Sequence, residues 1–126
     1  MKRDVRNTEL RLASYICAGL DIAKEFREHS CQERIHEYRS CYLRKEGDRY
    51  QVSALGMAMI GKAGDPRLAY ENFSRVLTRD HFTDTISVIA RILSMPSELL
   101  RRVDQLHFKS SGSIREIAQS LANSSF

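Results

Sequence analysis

The stretch ISVIARILSMPSELLRRVDQ, residues 86–105, indicates the fold more strongly than any other part of the chain. Its apolar residues recur at the spacing expected when a helix, a tight turn and a second helix close on one small core. Those residues are Ile89, Leu93, Met95, Leu100 and Val103. Ala90 would lie where the two helices come closest, and its small side chain would allow this, because a larger one would push them apart. The stretch therefore predicts a closely packed helix pair.

The same residues resemble the pattern of the helix-turn-helix superfamily. That pattern has a small residue among apolar ones in the first helix, a small residue in the turn, and two apolar positions in the second helix. Its places are filled here by Ile89, Ala90, Leu93, Ser94, Met95, Leu100 and Val103. Two residues depart from the pattern: Ser94 stands where glycine is usual, and Ile92 is apolar where the first helix normally faces water.

The resemblance implies that residues 97–106 form a recognition helix. Its outward positions would be Ser97, Glu98, Arg101, Arg102 and Gln105. In the major groove of double-stranded DNA, an arginine can form two hydrogen bonds to guanine and a glutamine can form two to adenine. A homodimer would be expected, because a single unit buries little surface on DNA. Without the resemblance, the same spacing describes an ordinary antiparallel helix pair with a solvated polar face.

The composition is that of an ordinary globular protein with a modest basic excess. The chain has 126 residues, 42% hydrophobic and 29% charged, which suits one domain with its own core. Its net charge of +4 suits a polyanionic partner. Residues 1–63 hold 12 basic and 9 acidic side chains, whereas residues 64–126 hold 8 and 7. The half that contains the candidate recognition helix is therefore the less basic one, which counts against DNA binding.

The cysteines and the hydropathy predict a cytoplasmic protein. Cys17, Cys31 and Cys41 are an odd number, and the chain shows no secretory segment. No apolar run approaches the ~18 residues that are needed to cross a membrane. A reducing compartment and no membrane partner are therefore expected.

Helical apolar spacing over most of the chain predicts an all-α single domain, residues 1–126, with about seven helices. Start signals support the helix limits, since Ser30 and Ser113 each precede a glutamate by three positions, as in a capping box, and Asp65 precedes a proline. A flexible lead-in is expected at residues 1–7. The helices are expected at 8–27, 30–43, 54–64 and 66–78, as a pair within 84–106, and at 113–122.

Two segments and one glycine carry more specific expectations. Residues 54–64 hold a single charge, that of Lys62, so their helix should be buried on most sides. Residues 41–53 could form a short hairpin around Gly47, but we favour a helix that ends at about Leu43 and is followed by a turn at the same glycine. Gly19 should mark a close helix crossing, because glycine in mid-helix costs about 1 kcal/mol relative to alanine.

The sequence predicts neither an enzyme nor a metal site. Four potential zinc ligands lie close together along the chain: His29, Cys31, His36 and Cys41. No CxxC or HxxxH pair places two of them on one face of a helix. Pairs such as Cys31 with His36, or Ser113 with His107, lack a pattern that would fix catalytic geometry. We therefore expect no catalytic residue, no metal and no cofactor.

Two functions fit the sequence. One is a small DNA-associated regulator that binds through residues 97–106, which the turn pattern favours. The other is a helical protein interaction module or adaptor without nucleic-acid binding, which the modest charge favours. The anchors of such a module would be Tyr38, Tyr42, Tyr50 and Arg49.

Overall fold

The structure is a computed structural model that describes residues 2–23, 25–28, 42–79, 84–110 and 113–123. These residues form six helices and one small three-stranded sheet, and 75% of them are helical. A mainly helical chain is therefore confirmed. The prediction of a purely all-α fold is wrong, and the described residues hold six helices rather than about seven. The elements are α1 (Lys2–Ile22), β1 (Phe26–Glu28), β2 (Leu43–Glu46), β3 (Arg49–Val52), α2 (Ala54–Ala63), α3 (Pro66–Arg79), α4 (Thr85–Leu93), α5 (Ser97–Ser110) and α6 (Ile114–Ala122).

Helix α1 is shifted toward the amino end of the chain relative to the prediction. It begins at Lys2 and ends at Ile22, so residues 2–7 are helical instead of forming a lead-in. Helical spacing predicts that this helix continues to residue 27, but Phe26–Glu28 form strand β1. That strand pairs in parallel with residues 50–52. Hydrogen bonds across the sheet thus replace those that a longer helix would form along its own axis.

The sheet has the strand order β1, β3, β2, and its hairpin resolves the alternatives for residues 41–53. Strands β2 and β3 are antiparallel, with Leu43 paired to Val52. Gly47 lies in the turn with a φ of 60°, a left-handed conformation that glycine adopts without strain. The hairpin is therefore correct, and a helix that reaches Leu43 is wrong. Most of the helix expected at residues 30–43 lies outside the described residues.

Helix α2 forms the centre of the core, as its lack of charge predicts. Every residue from 54 to 60 is buried. Glycines allow α1 to cross it closely: a Cβ added at Gly61 would lie 1.8 Å from the carbonyl oxygen of Tyr15. A Cβ added at Gly19 would lie 2.2 Å from the carbonyl oxygen of Met57. Both distances are too short for real atoms, so the close crossing predicted at Gly19 is confirmed.

Helix α6 packs against α1 and closes the core. The Ser113 hydroxyl accepts a hydrogen bond from the Glu116 N–H at 3.1 Å, as the capping box predicts. Arg6 of α1 donates to the carbonyl oxygen of Leu121 at 2.6 Å and to that of Ala122. Arginine side chains stabilise a helix when they bind its last carbonyl groups. The amino end of α1 therefore caps the carboxyl end of α6.

Candidate nucleic-acid interface

Helix α4 is the first helix of the unit that resembles a helix-turn-helix, and it begins at a capping aspartate. The Asp84 carboxylate accepts hydrogen bonds from the Ser87 N–H at 3.2 Å and from the Ser87 hydroxyl at 2.6 Å. These bonds from Ser87, and to a smaller extent the charge of Arg101, lower the pKa of Asp84. Asp84 therefore presents a negative charge beside α5 at neutral pH.

The turn between α4 and α5 is a Schellman motif. Ser94 adopts the left-handed conformation, with φ 56° and ψ 51°, at the place where the superfamily pattern has glycine. The Met95 N–H donates to the Ala90 carbonyl oxygen at 3.0 Å, and the Ser94 N–H donates to that of Arg91 at 3.3 Å. Arg11 of α1 donates to the Ser94 carbonyl oxygen at 2.9 Å. The turn is thus held both by its own backbone and by α1.

The inward face of the helix pair is the one that the sequence predicts. Full burial is found at Ile89, Leu93, Leu100 and Val103, and near-complete burial at Met95. Ala90 is half-buried and packs against the same core. The apolar spacing of residues 86–105 therefore reflects real packing of α4 and α5 onto the domain.

The predicted outward face of α5 is open to solvent at four of its five positions. The exposed residues are Glu98, Arg101, Arg102 and Gln105, whereas Ser97 is half-buried. Arg101 contacts the Asp84 carboxylate at 3.2 Å, and 51% and 52% of the two side chains remain exposed. Ion pairs this exposed contribute little to stability. Arg101 can therefore leave Asp84 for another anion at small cost.

The surface around Arg102 is mixed in charge. Arg102 and Glu98 border a shallow depression of about 300 Å³ between α5 and the amino end of α1, where Val5 and Leu99 supply apolar surface. With Asp84 and Glu98 beside the two arginines of α5, the outward face carries both signs of charge. It is not a continuous basic stripe within the part of the chain that the structure describes.

Two polar residues on the inward side of α5 attach it to the rest of the protein. The Tyr42 hydroxyl donates to the Asp104 carboxylate at 3.2 Å. Burial raises the pKa of Asp104, and the hydrogen bond from Tyr42 opposes this only in part. Nδ1 of His107 accepts a hydrogen bond from the Ala54 N–H, at the start of α2, at 3.3 Å. His107 thus has a structural role here, and its sequence-based candidate partner, Ser113, is the N-cap of α6.

The residues considered as anchors of an interaction module are scattered where the structure describes them. Tyr42 is buried, and Tyr50 is half-buried with its ring edge to face against Tyr70 at a centroid distance of 6.2 Å. Arg49 is exposed at the start of β3. Tyr38 lies outside the described residues.

Among the residues in the ranges that the structure describes, no group of three or more His, Cys, Asp or Glu side chains is placed to hold a metal ion. The four potential zinc ligands all lie outside those ranges: His29, Cys31, His36 and Cys41. In the same ranges, no helix has the length and hydropathy needed to cross a membrane.

Ile92 lies in a groove that the sequence does not predict. The superfamily pattern has a water-facing residue at this place, but Ile92 is half-buried and lines a groove between α2, α3 and α4. Lys62 of α2 donates a hydrogen bond to the Ile92 carbonyl oxygen. An apolar side chain at an outward helical position is the one sequence signal for this groove.

No protein-family model, curated protein or solved structure matches this chain.

Proposed function

We propose that this chain is a small DNA-associated regulator that binds double-stranded DNA through α5. The observation that carries the proposal is the connection between α4 and α5, in which Ser94 is left-handed and only three residues separate the helices. Such a connection buries one face of the second helix and leaves the other free to enter a major groove. The resemblance in sequence and the backbone geometry thus support the same function.

The outward side chains of α5 suit both parts of DNA recognition. Arg101 and Arg102 can bind phosphates or the edge of guanine, and Gln105 can bind the edge of adenine. Glu98 can accept a hydrogen bond from cytosine. Because the ion pair between Arg101 and Asp84 is half exposed, a phosphate can replace the carboxylate with little loss. Binding therefore requires no change in the core.

The mixed charge of this face predicts that one copy binds DNA weakly. Phosphate neutralisation supplies most non-specific affinity, and Asp84 and Glu98 offset the arginines. Two copies related by a two-fold axis would place their α5 helices on half-sites about 34 Å apart, and so double the contacts. We therefore propose that the DNA-bound form is a homodimer.

A fluorescence titration with a labelled duplex of about three helical turns, at low and at physiological salt, tests the proposal. Wild type should bind with a Kd of roughly 10⁻⁴–10⁻⁶ M at physiological salt and more tightly at low salt. The double variant Arg101→Ala, Arg102→Ala should bind about tenfold more weakly or worse, because arginine contacts to DNA are lost. Its melting temperature should be unchanged, since both side chains are exposed.

A matched control makes the result specific to α5. The double variant Arg49→Ala, Arg67→Ala removes the same charge from exposed positions on β3 and α3. It should weaken binding only slightly. The proposal is refuted if wild type does not bind duplex DNA at low salt, or if the control loses as much affinity as the α5 variant.

A further inference from the structure

A groove of about 410 Å³ lies between α2, α3 and α4, and none of the described residues that line it belongs to α5. Its apolar floor is formed by Met59, Ala63, Ala69 and Ile92. Leu68 of α3 also lines the groove, and 53% of its surface is exposed. The volume is in the range of sites that bind ligands or partner side chains, about 300–1,000 Å³. The groove is therefore large enough to hold more than one apolar side chain.

Positive charge borders this apolar floor. Lys62 and Arg75 line the groove from α2 and α3, and the described lining contains no acidic residue. Two acidic groups near this end of α3 are engaged elsewhere: Asp65, just before the helix, accepts the Leu68 N–H at 2.9 Å, and Glu71 pairs with Arg67 at 3.0 Å. Complementary charge steers partners and selects among them. The groove therefore favours a ligand that is apolar in the middle and acidic at its edges.

The groove extends along one face of α3. Leu68, Asn72 and Arg75 lie on one face of α3, at positions i, i+4 and i+7, and span about 10 Å or two turns. A second helix laid along this face could place apolar side chains at the same spacing onto the floor. Covering the exposed part of Leu68 would remove apolar surface from water and so favour the association.

We propose that this groove binds an acidic amphipathic helix of a partner protein. The apolar face of that helix covers Leu68 and Ile92, and its carboxylates pair with Lys62 and Arg75. The Lys62 ammonium already donates to the Ile92 carbonyl oxygen, but it has three N–H donors, so it can bind a carboxylate at the same time. Because the groove and the outward face of α5 share no lining residue, the partner and DNA bind separate surfaces.

The test uses a fluorescein-labelled, alanine-rich helical peptide as the probe. It carries leucines at i, i+4 and i+7 and glutamates on both flanks, and a control peptide has lysines in place of the glutamates. Anisotropy should show saturable binding of the acidic peptide and at least tenfold weaker binding of the basic one. The variants Leu68→Glu and Arg75→Glu should each weaken acidic-peptide binding about tenfold or more. Thermal melting should show that both variants remain folded, since both residues are exposed.

Leu10→Glu on α1 is the matched control, because Leu10 is also an exposed leucine, 42% accessible, and does not line the groove. It should bind the acidic peptide like wild type. The proposal is overturned if the acidic peptide does not bind, if both peptides bind equally, or if Leu10→Glu weakens binding as much as Leu68→Glu. It is also overturned if wild type sediments as a dimer that Leu68→Glu converts to monomer, since a second copy then occupies the groove.

Discussion

Replacing Ser94 by glycine should make the protein more stable. The φ of 56° at Ser94 costs an L-residue roughly 1–2 kcal/mol, and glycine avoids that cost because it has no Cβ. Glycine also loses more chain entropy on folding, which takes back about 0.5–1 kcal/mol. The expected net gain is about 0.5–1 kcal/mol in the free energy of unfolding. For a chain of this size, that gain corresponds to a rise in Tm of about 2–4 °C.

Chemical denaturation and thermal melting of three variants isolate the backbone effect. Ser94→Ala keeps a Cβ in the left-handed conformation and should gain nothing. Ser14→Gly makes the same substitution at an exposed position inside α1, and should lose about 0.5 kcal/mol because glycine is a poorer helix former than serine. The hydrogen bond from Arg11 reaches the carbonyl oxygen of Ser94, so it survives in every Ser94 variant. If Ser94→Gly is no more stable than Ser94→Ala, the turn is not left-handed and the reasoning fails.

Two further substitutions test the core and the inward side of α5. Gly61→Ala should destabilise by about 1–3 kcal/mol or more, because its Cβ would meet the Tyr15 carbonyl oxygen; an unchanged denaturation midpoint would contradict the close crossing of α1 and α2. Asp104→Asn should stabilise the protein at neutral pH, since asparagine still accepts the Tyr42 hydrogen bond but places no charge in a partly buried site. Burial holds the pKa of Asp104 above its usual 3.8, so wild type loses stability as the pH rises from 3.8 through the raised pKa. The advantage of asparagine should therefore disappear by about pH 3, where Asp104 is protonated in both the folded and the unfolded state. A variant less stable than wild type at neutral pH would refute this.

The helix pair was predictable because its information is local. The inward residues of α4 and α5 follow from helical periodicity over twenty positions, and the turn at Ser94 lies between them. The same holds for the start of α6, where the Ser113 hydroxyl and the Glu116 N–H are three residues apart. Strand β1 is different, because Phe26 pairs with Tyr50, 24 positions along the chain. The sequence of Phe26–Glu28 fits the end of a helix as well as a strand, and only the pairing with β3 distinguishes the two structures.

In the candidate site, too, local features are predictable from sequence and long-range contacts are not. Periodicity predicts that Arg101 and Arg102 face outward, and they are exposed. It does not predict the ion pair with Asp84, which is 17 positions away and depends on the angle between α4 and α5. The groove is still harder to predict from sequence, because three helices contribute to it and no single helix sequence indicates it. Only Ile92, apolar at a place where the superfamily pattern is polar, pointed toward it.

Helix α5 is held by an exposed ion pair on its outward side and by more buried hydrogen bonds on its inward side. The outward bond, from Arg101 to Asp84, is half exposed and easily exchanged. The inward bonds, from the Tyr42 hydroxyl to Asp104 and from the Ala54 N–H to His107, connect α5 to the hairpin and to the central helix. Bonds shielded from water hold their geometry better than exposed ones. The core therefore fixes α5 while Arg101 can exchange its half-exposed partner. For the proposed binding to DNA, this rigidity would keep low the ordering cost that a mobile helix would incur.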